Sequence, residues 1–123
     1  MSDDSKFSFR ETMKTRTKQF ALRVIRLSQA LPKSRESDVI GRQILRSGTS
    51  VGANYRAACC ARSAQEFRAK ISIVVEECDE TVFWLEILAE AELIPAEKLE
   101  LLKKEALELL YIMSAARKNT AKK

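Results

Sequence analysis

Apolar residues recur at three- and four-residue intervals through four stretches of this chain, and each stretch is bounded by residues that break or cap helices. In the first, Met13, Thr17, Phe20, Val24, Leu27 and Leu31 fall on one face. Pro32, which has no amide hydrogen to donate, ends the run, so the pattern predicts a helix from about Thr12 to Leu31. Ser37, followed by Asp38, is the expected N-cap of a second helix reaching about Ala61. Ser63-Ala-Gln-Glu66 matches a capping box, in which serine hydroxyl and glutamate carboxylate each accept from a terminal backbone amide. It opens a third helix with Phe67, Ile71, Val74, Cys78, Val82, Leu85 and Leu88 inward. Pro95 suits the first position of a fourth, which runs to about Lys118 through Leu99, Leu102, Ala106, Leu109, Leu110 and Met113. Connections this short join antiparallel neighbours. The expectation is all-α: one antiparallel up-down-up-down four-helix bundle over residues 12–118, with a frayed or disordered segment at 1–11 and a basic tail at 119–123.

The second helix contains all three glycines of the protein, Gly41, Gly48 and Gly52. A glycine inside a helix costs about 1 kcal/mol relative to alanine. On a helical wheel the three lie within about 40° of one another, amid Ile40, Ile44, Leu45, Val51 and Tyr55. A small-residue strip at the centre of an apolar face lets a neighbouring backbone come close, so these are expected to be packing glycines. A phosphate-binding loop would require a preceding strand, and the pattern offers none. Asn54 and Tyr55 beside them are expected to hydrogen-bond across the bundle.

Not every apolar residue fits an inner face. Leu22 and Ile25 point away from the stripe of the first helix; Ile73, Trp84 and Ile87 form a second stripe on the third, and Leu101 with Ile112 one on the fourth. Sets of this kind suggest a subunit interface, the alternative being a wide buried face on an irregular bundle.

Histidine is absent, which removes Ser-His-Asp triads, Cys-His pairs and histidine-bearing metal helices. The cysteines Cys59, Cys60 and Cys78 are odd in number and form no Cys-x-x-Cys pair. They suit small buried thiols in a reduced, cytoplasmic protein better than a disulfide or a redox element. No run is apolar enough for a membrane span, and the polar, acidic start is unlike a secretory signal.

Charge is uneven: residues 1–70 carry 15 Lys and Arg against 6 Asp and Glu, whereas 71–123 carry 7 against 11. Arg42, Arg46 and Arg56 fall within about 80° on the second helix, and Arg16, Arg23 and Arg26 share a similar stripe on the first. Guanidinium groups hold phosphates bidentately, so these six are candidate nucleic-acid-binding residues. The alternatives are a solvated face or contacts to acids of another subunit. No helix-turn-helix, zinc finger or RNA-recognition motif is present, so binding is expected to be sequence-tolerant and salt-dependent.

Ser50-Val-Gly-Ala-Asn-Tyr-Arg-Ala-Ala58, with Glu66-Phe67, Lys70-Ile71, Glu76-Glu77 and Glu80-Thr81-x-x-Trp84-Leu85, resembles the bacterial four-helix-bundle proteins encoded in 23S rRNA intervening sequences. The similarity extends from about Phe20 to Arg117. It implies a bundle that assembles as a homopentameric ring, and more distantly a kinship with the accessory subunit of diversity-generating retroelements, which binds nucleic acid and a reverse transcriptase. A nucleic-acid-processing protein is therefore an implied partner. The family supplies no catalytic site to transfer, and its name records where some of its genes lie.

One enzymatic alternative stands. Glu76-Glu77-x-x-Glu80 and Glu97-x-x-Glu100 place carboxylates one turn apart, as Mg²⁺ sites do, and are similar to the all-α nucleotide pyrophosphohydrolases. That pattern ends in an aspartate, where this chain has Glu100. The primary expectation remains a non-catalytic, oligomeric nucleic-acid-binding bundle without cofactor or metal; the alternatives are a protein-interaction scaffold and then the hydrolase.

Overall fold

The computed structural model describes residues 3–121, which form four helices: α1 (Asp3–Ala30), α2 (Arg35–Cys59), α3 (Ala64–Glu90) and α4 (Ala96–Ala121). Each has between 25 and 28 residues, about 40 Å of helix. Each packs on the next in chain order, the expected four-helix bundle, whereas α1 and α4 touch only sparsely. The core runs the length of the bundle, with Phe20, Ile44, Val74, Leu85, Leu109 and Met113 all fully enclosed.

The ends of the helices depart from the sequence expectation in instructive ways. α1 starts at Asp3, not near Thr12, so residues 3–11 are helical. No glycine or proline interrupts them, and Asp4 falls in the first turn, where negative charge suits the helix dipole. α4 continues to Ala121, past the expected end at Lys118; the last two residues of the expected tail lie outside the described residues. The N-cap of α2 is Ser34, not Ser37. Ser34 has extended backbone (φ −156°, ψ 162°), and its hydroxyl accepts from the Ser37 amide at 3.1 Å. Ser37 is thereby inside the first turn, buried, with its own hydroxyl unpartnered among the described residues. Ser63 caps α3 as expected, accepting from the Glu66 amide at 3.0 Å. The return arm of that box is displaced by one residue, since the Glu66 carboxylate accepts from the Arg62 amide at 3.2 Å.

The three glycines face α1 and the turn that follows it. A Cβ at Gly48 would lie 2.7 Å and 2.8 Å from the two methyls of the buried Val24 on α1. One at Gly52 would lie 3.3 Å from the Thr17 carbonyl oxygen, and one at Gly41 3.1 Å from the end of the Leu31 side chain. All three open space for α1 or the turn that follows it. Beneath Gly52, the buried Thr17 hydroxyl donates to the Met13 carbonyl at 2.8 Å, so the close contact traps no unmet polar hydrogen. On the other flank of α2, the Ser47 and Thr81 hydroxyls meet at 2.9 Å across α2 and α3.

With its glycines concentrated there, the chain has none at the end of α3, where the backbone demands one. Glu92 sits at φ 59°, and the Leu93 amide donates back to Leu88 O at 3.0 Å, a Schellman ending with glutamate in the left-handed position.

Three substitutions separate these effects, measured by urea unfolding at fixed protein concentration. Gly48→Ala is expected to cost about 1–3 kcal/mol, because enclosed, β-branched Val24 cannot yield and overpacking outweighs alanine's helix preference. Gly41→Ala meets only the tip of a flexible leucine and is expected to be neutral or stabilising by up to about 1 kcal/mol. Glu92→Gly relieves a left-handed residue and is expected to stabilise by about 1 kcal/mol.

Candidate nucleic-acid interface

The six predicted arginines do not form one patch. Arg16 turns towards α4, where Nε and Nη2 each donate to Glu105 at 2.7 Å, in fork geometry, and Nη2 also reaches Glu108 at 3.1 Å. This clamp spans the side of the bundle where α1 and α4 scarcely meet. The hydrogen bond to Glu105, reinforced by Glu108, raises the Arg16 pKa further above its already high value. Arg46 turns the other way, donating to Glu77 at 2.9 Å and to Glu80 on α3. Trp84 Nε1 donates to the same Glu80 carboxylate at 3.0 Å. Arg16 and Arg46 are therefore bundle clamps, and a phosphate would have to displace two carboxylates from either.

The other four are available. Among the described residues, Arg23, Arg26, Arg42 and Arg56 form no ion pair. Arg23 and Arg26 line the α1–α4 side with Lys98, over a groove of about 450 Å³ floored by Leu27, Leu99 and Leu102. Arg56 faces the opposite side of α1. There it joins Lys14 and Lys18 around a groove of about 330 Å³ between α1 and α2, whose floor is Ala21, Gly52 and Ala53. Neither lysine was singled out in the sequence, where attention to guanidinium chemistry passed over them. Their signal was the register of the glycines: once Gly52 lies on Thr17, residues 14 and 18 of the antiparallel neighbour fall beside Arg56 and Ala53.

Asn54 and Tyr55 do not bridge the helices as expected. Asn54 Nδ2 donates to Ser50 O at 2.9 Å within its own helix. The buried Tyr55 hydroxyl meets the Cys59 thiol one turn on, and burial raises the pKa of both. Burial also pushes Cys78 up to about 12, so its thiol stays protonated and inert. The second apolar stripe of α3 is partly absorbed, because Trp84 and Ile87 pack against the core. Leu22, Ile25 and Ile73 are half-buried. The most exposed large apolar residues are Leu101 (75%), Tyr111 (65%), Phe7 (59%) and Phe83 (49%), of which only Leu101 had been noticed. Phe83 stands edge-on to Trp84, ring centroids 4.9 Å apart.

The carboxylates do not assemble a metal centre. Glu77 and Glu80 are held by Arg46, and no group of three or more acids, cysteines or histidines converges among the described residues. No helix of the described residues is long and apolar enough to cross a membrane.

Residues 12–115 match the family described as 23S rRNA-intervening sequence protein. The chain belongs to that family. A crystal structure of a protein of unknown function from the S23 ribosomal protein family of Bacteroides thetaiotaomicron VPI-5482 is 36% identical, with a TM-score of 0.80, over 85% of this chain and 97% of that one. No curated protein matches. For this member of the 23S rRNA-intervening sequence proteins, the resemblance carried by the second and third helices in the sequence is thus shown, and so is the bundle it implied.

The Glu80 contacts predict a pH response. Hydrogen bonds from Trp84 first, then Arg46, lower the Glu80 pKa below that of an ordinary glutamate, about 4.3. A carboxyl lowered in the folded state stabilises above its unfolded pKa, and that stability disappears as pH falls through the folded value. Emission of the single tryptophan should hold steady from neutral pH down to about 4.3 and change only below it. Glu80→Gln should abolish that transition; a midpoint unchanged in the variant would show that Trp84 reports another group.

Proposed function

We propose that this protein is a non-catalytic, homo-oligomeric bundle that binds RNA or DNA through the sugar-phosphate backbone. The observation that carries the reading is the division of its cations. Two arginines are clamped by internal acids, while Lys18, Arg23, Arg26, Arg42 and Arg56 on α1 and α2 form no ion pair among the described residues. Cations left without internal partners along two long, rigid helices suit a polyanion, and repetition in a ring would let weak contacts sum. The family resemblance supports a pentamer and a nucleic-acid-processing protein as a further partner, and the odd, unpaired cysteines support a cytoplasmic setting. Exposed Leu101 and Phe83, with half-buried Leu22, Ile25 and Ile73, supply apolar surface for assembly.

A second reading, a protein-interaction scaffold, is favoured by the same exposed apolar residues and by the acidic character of α3. A hydrolase has less support, since its leading carboxylates are engaged by Arg46 and Trp84.

Fluorescence anisotropy of labelled RNA and DNA, with protein freed of nucleic acid and of known native mass, separates them. The expected result is tight binding at low salt that weakens as salt rises, with log K falling by about 0.7–0.9 per phosphate contact for each unit of log salt. An intact oligomer that binds neither polymer at low salt would transfer the function to protein partners.

A further inference from the structure

We propose that the groove between α1 and α2 seats a single nucleic-acid strand, with consecutive backbone phosphates on Lys14, Lys18 and Arg56. This rests on the nucleic-acid reading above and assigns its site. Three features of the groove point to a strand. Lys14 and Lys18 are one turn apart on α1, about 6 Å along its axis, comparable with the step between successive phosphates of a single strand. Arg56 stands across from them on α2, so cations rim both walls.

The floor is built of Ala21, Gly52 and Ala53, none larger than a methyl group. It exists because α2 carries glycine where α1 presses on it, and it lets an extended backbone lie between the rims. A duplex is too wide to enter a slot between adjacent helices and would touch the rims only from outside.

The partners of these groups leave them available to a phosphate. Lys18 and Arg56 have no ion pair among the described residues, and Lys14 has only Glu11, one turn back at 3.1 Å on the surface. Exposed pairs of this kind contribute little and exchange readily for another anion. Of the two threonines at the lip, Thr49 donates its hydroxyl to Leu45 O at 2.6 Å and so offers a phosphate nothing. Thr15 is exposed, without a hydrogen-bond partner among the described residues, and is free to donate. Among the described residues no aromatic ring lines the groove, so bases are not stacked there and recognition is of backbone, not sequence.

The groove between α1 and α4 is the natural control. It also carries cations, Arg23, Arg26 and Lys98, but over a leucine floor.

The test uses the full chain with fluorescein-labelled oligouridylate, oligothymidylate and a DNA duplex across a salt series. Lys18→Glu with Arg56→Glu should weaken binding of either single strand at least tenfold and lower the salt slope by about 1–2. Arg23→Glu with Arg26→Glu, an equal change of charge outside the groove, should weaken binding less than Lys18→Glu with Arg56→Glu does. Helicity and native mass should be unchanged in both, and Ala53→Leu, which fills the groove without altering charge, should also weaken binding. If the wild-type protein binds and the Arg23/Arg26 variant alone loses affinity, the groove assignment is wrong while the nucleic-acid reading stands. A preference for the duplex over both single strands would overturn the strand assignment. Wild-type protein that binds none of the three probes would remove both readings together.

Discussion

The separation between α1 and α2 is the constraint on which the basic side of this molecule depends. A helix pair normally keeps its axes 8–10 Å apart, at a distance set by the side chains between them. Gly48 and Gly52 remove those side chains where Val24 and the Thr17 carbonyl come in, so the spacing here is set by backbone and one enclosed valine. The consequences extend in both directions. Inward, Phe20 and Val24 join Ile44, Val51 and Tyr55 in one buried core, which anchors α1 where it has little help from α4. Outward, it leaves a shallow slot with a small-residue floor, and the cations on either wall face each other across it.

Electrostatics then divides the arginines into two populations that composition cannot distinguish. Arg16 lies opposite Glu105 and Glu108 of α4 and Arg46 opposite Glu77 and Glu80 of α3, so each is fixed by two carboxylates. These clamps join the basic first half of the chain to the acidic second half. Their value is in alignment more than in stability, since partly exposed ion pairs gain little net energy. Among the described residues, Lys18, Arg23, Arg26, Arg42 and Arg56 form no ion pair with any carboxylate. The strong charge asymmetry of the sequence is therefore only partly neutralised by ion pairs among the described residues.

Much of this was legible in the residues. Apolar periodicity and punctuation by Pro32, Ser63 and Pro95 give four helices in antiparallel order, because burial of a 3.6-residue stripe leaves few alternatives. The glycine strip pointed to close packing for the same reason. The misses are local competitions. Ser34 and Ser37 are both plausible caps, and only backbone geometry decides between them. Nothing in residues 3–11 stops a helix, but little in their pattern demands one. The interface was less legible, since a stripe on a helical wheel says nothing of which neighbour it faces. Arg16 and Arg23 share a stripe yet have different fates, because Glu105 and Glu108 stand opposite only the first. Lys14 and Lys18 became visible only with the register that Gly52 imposes.

A double-mutant cycle between Gly48 and Val24 tests this account most directly, with unfolding free energies measured at one protein concentration. If the two residues share a single steric contact, Val24→Ala should cost less in the Gly48→Ala background than in the wild type, with a coupling of about 1–3 kcal/mol. Additive costs would mean that the missing side chain at position 48 is not what lets α1 approach, and the groove would need another origin.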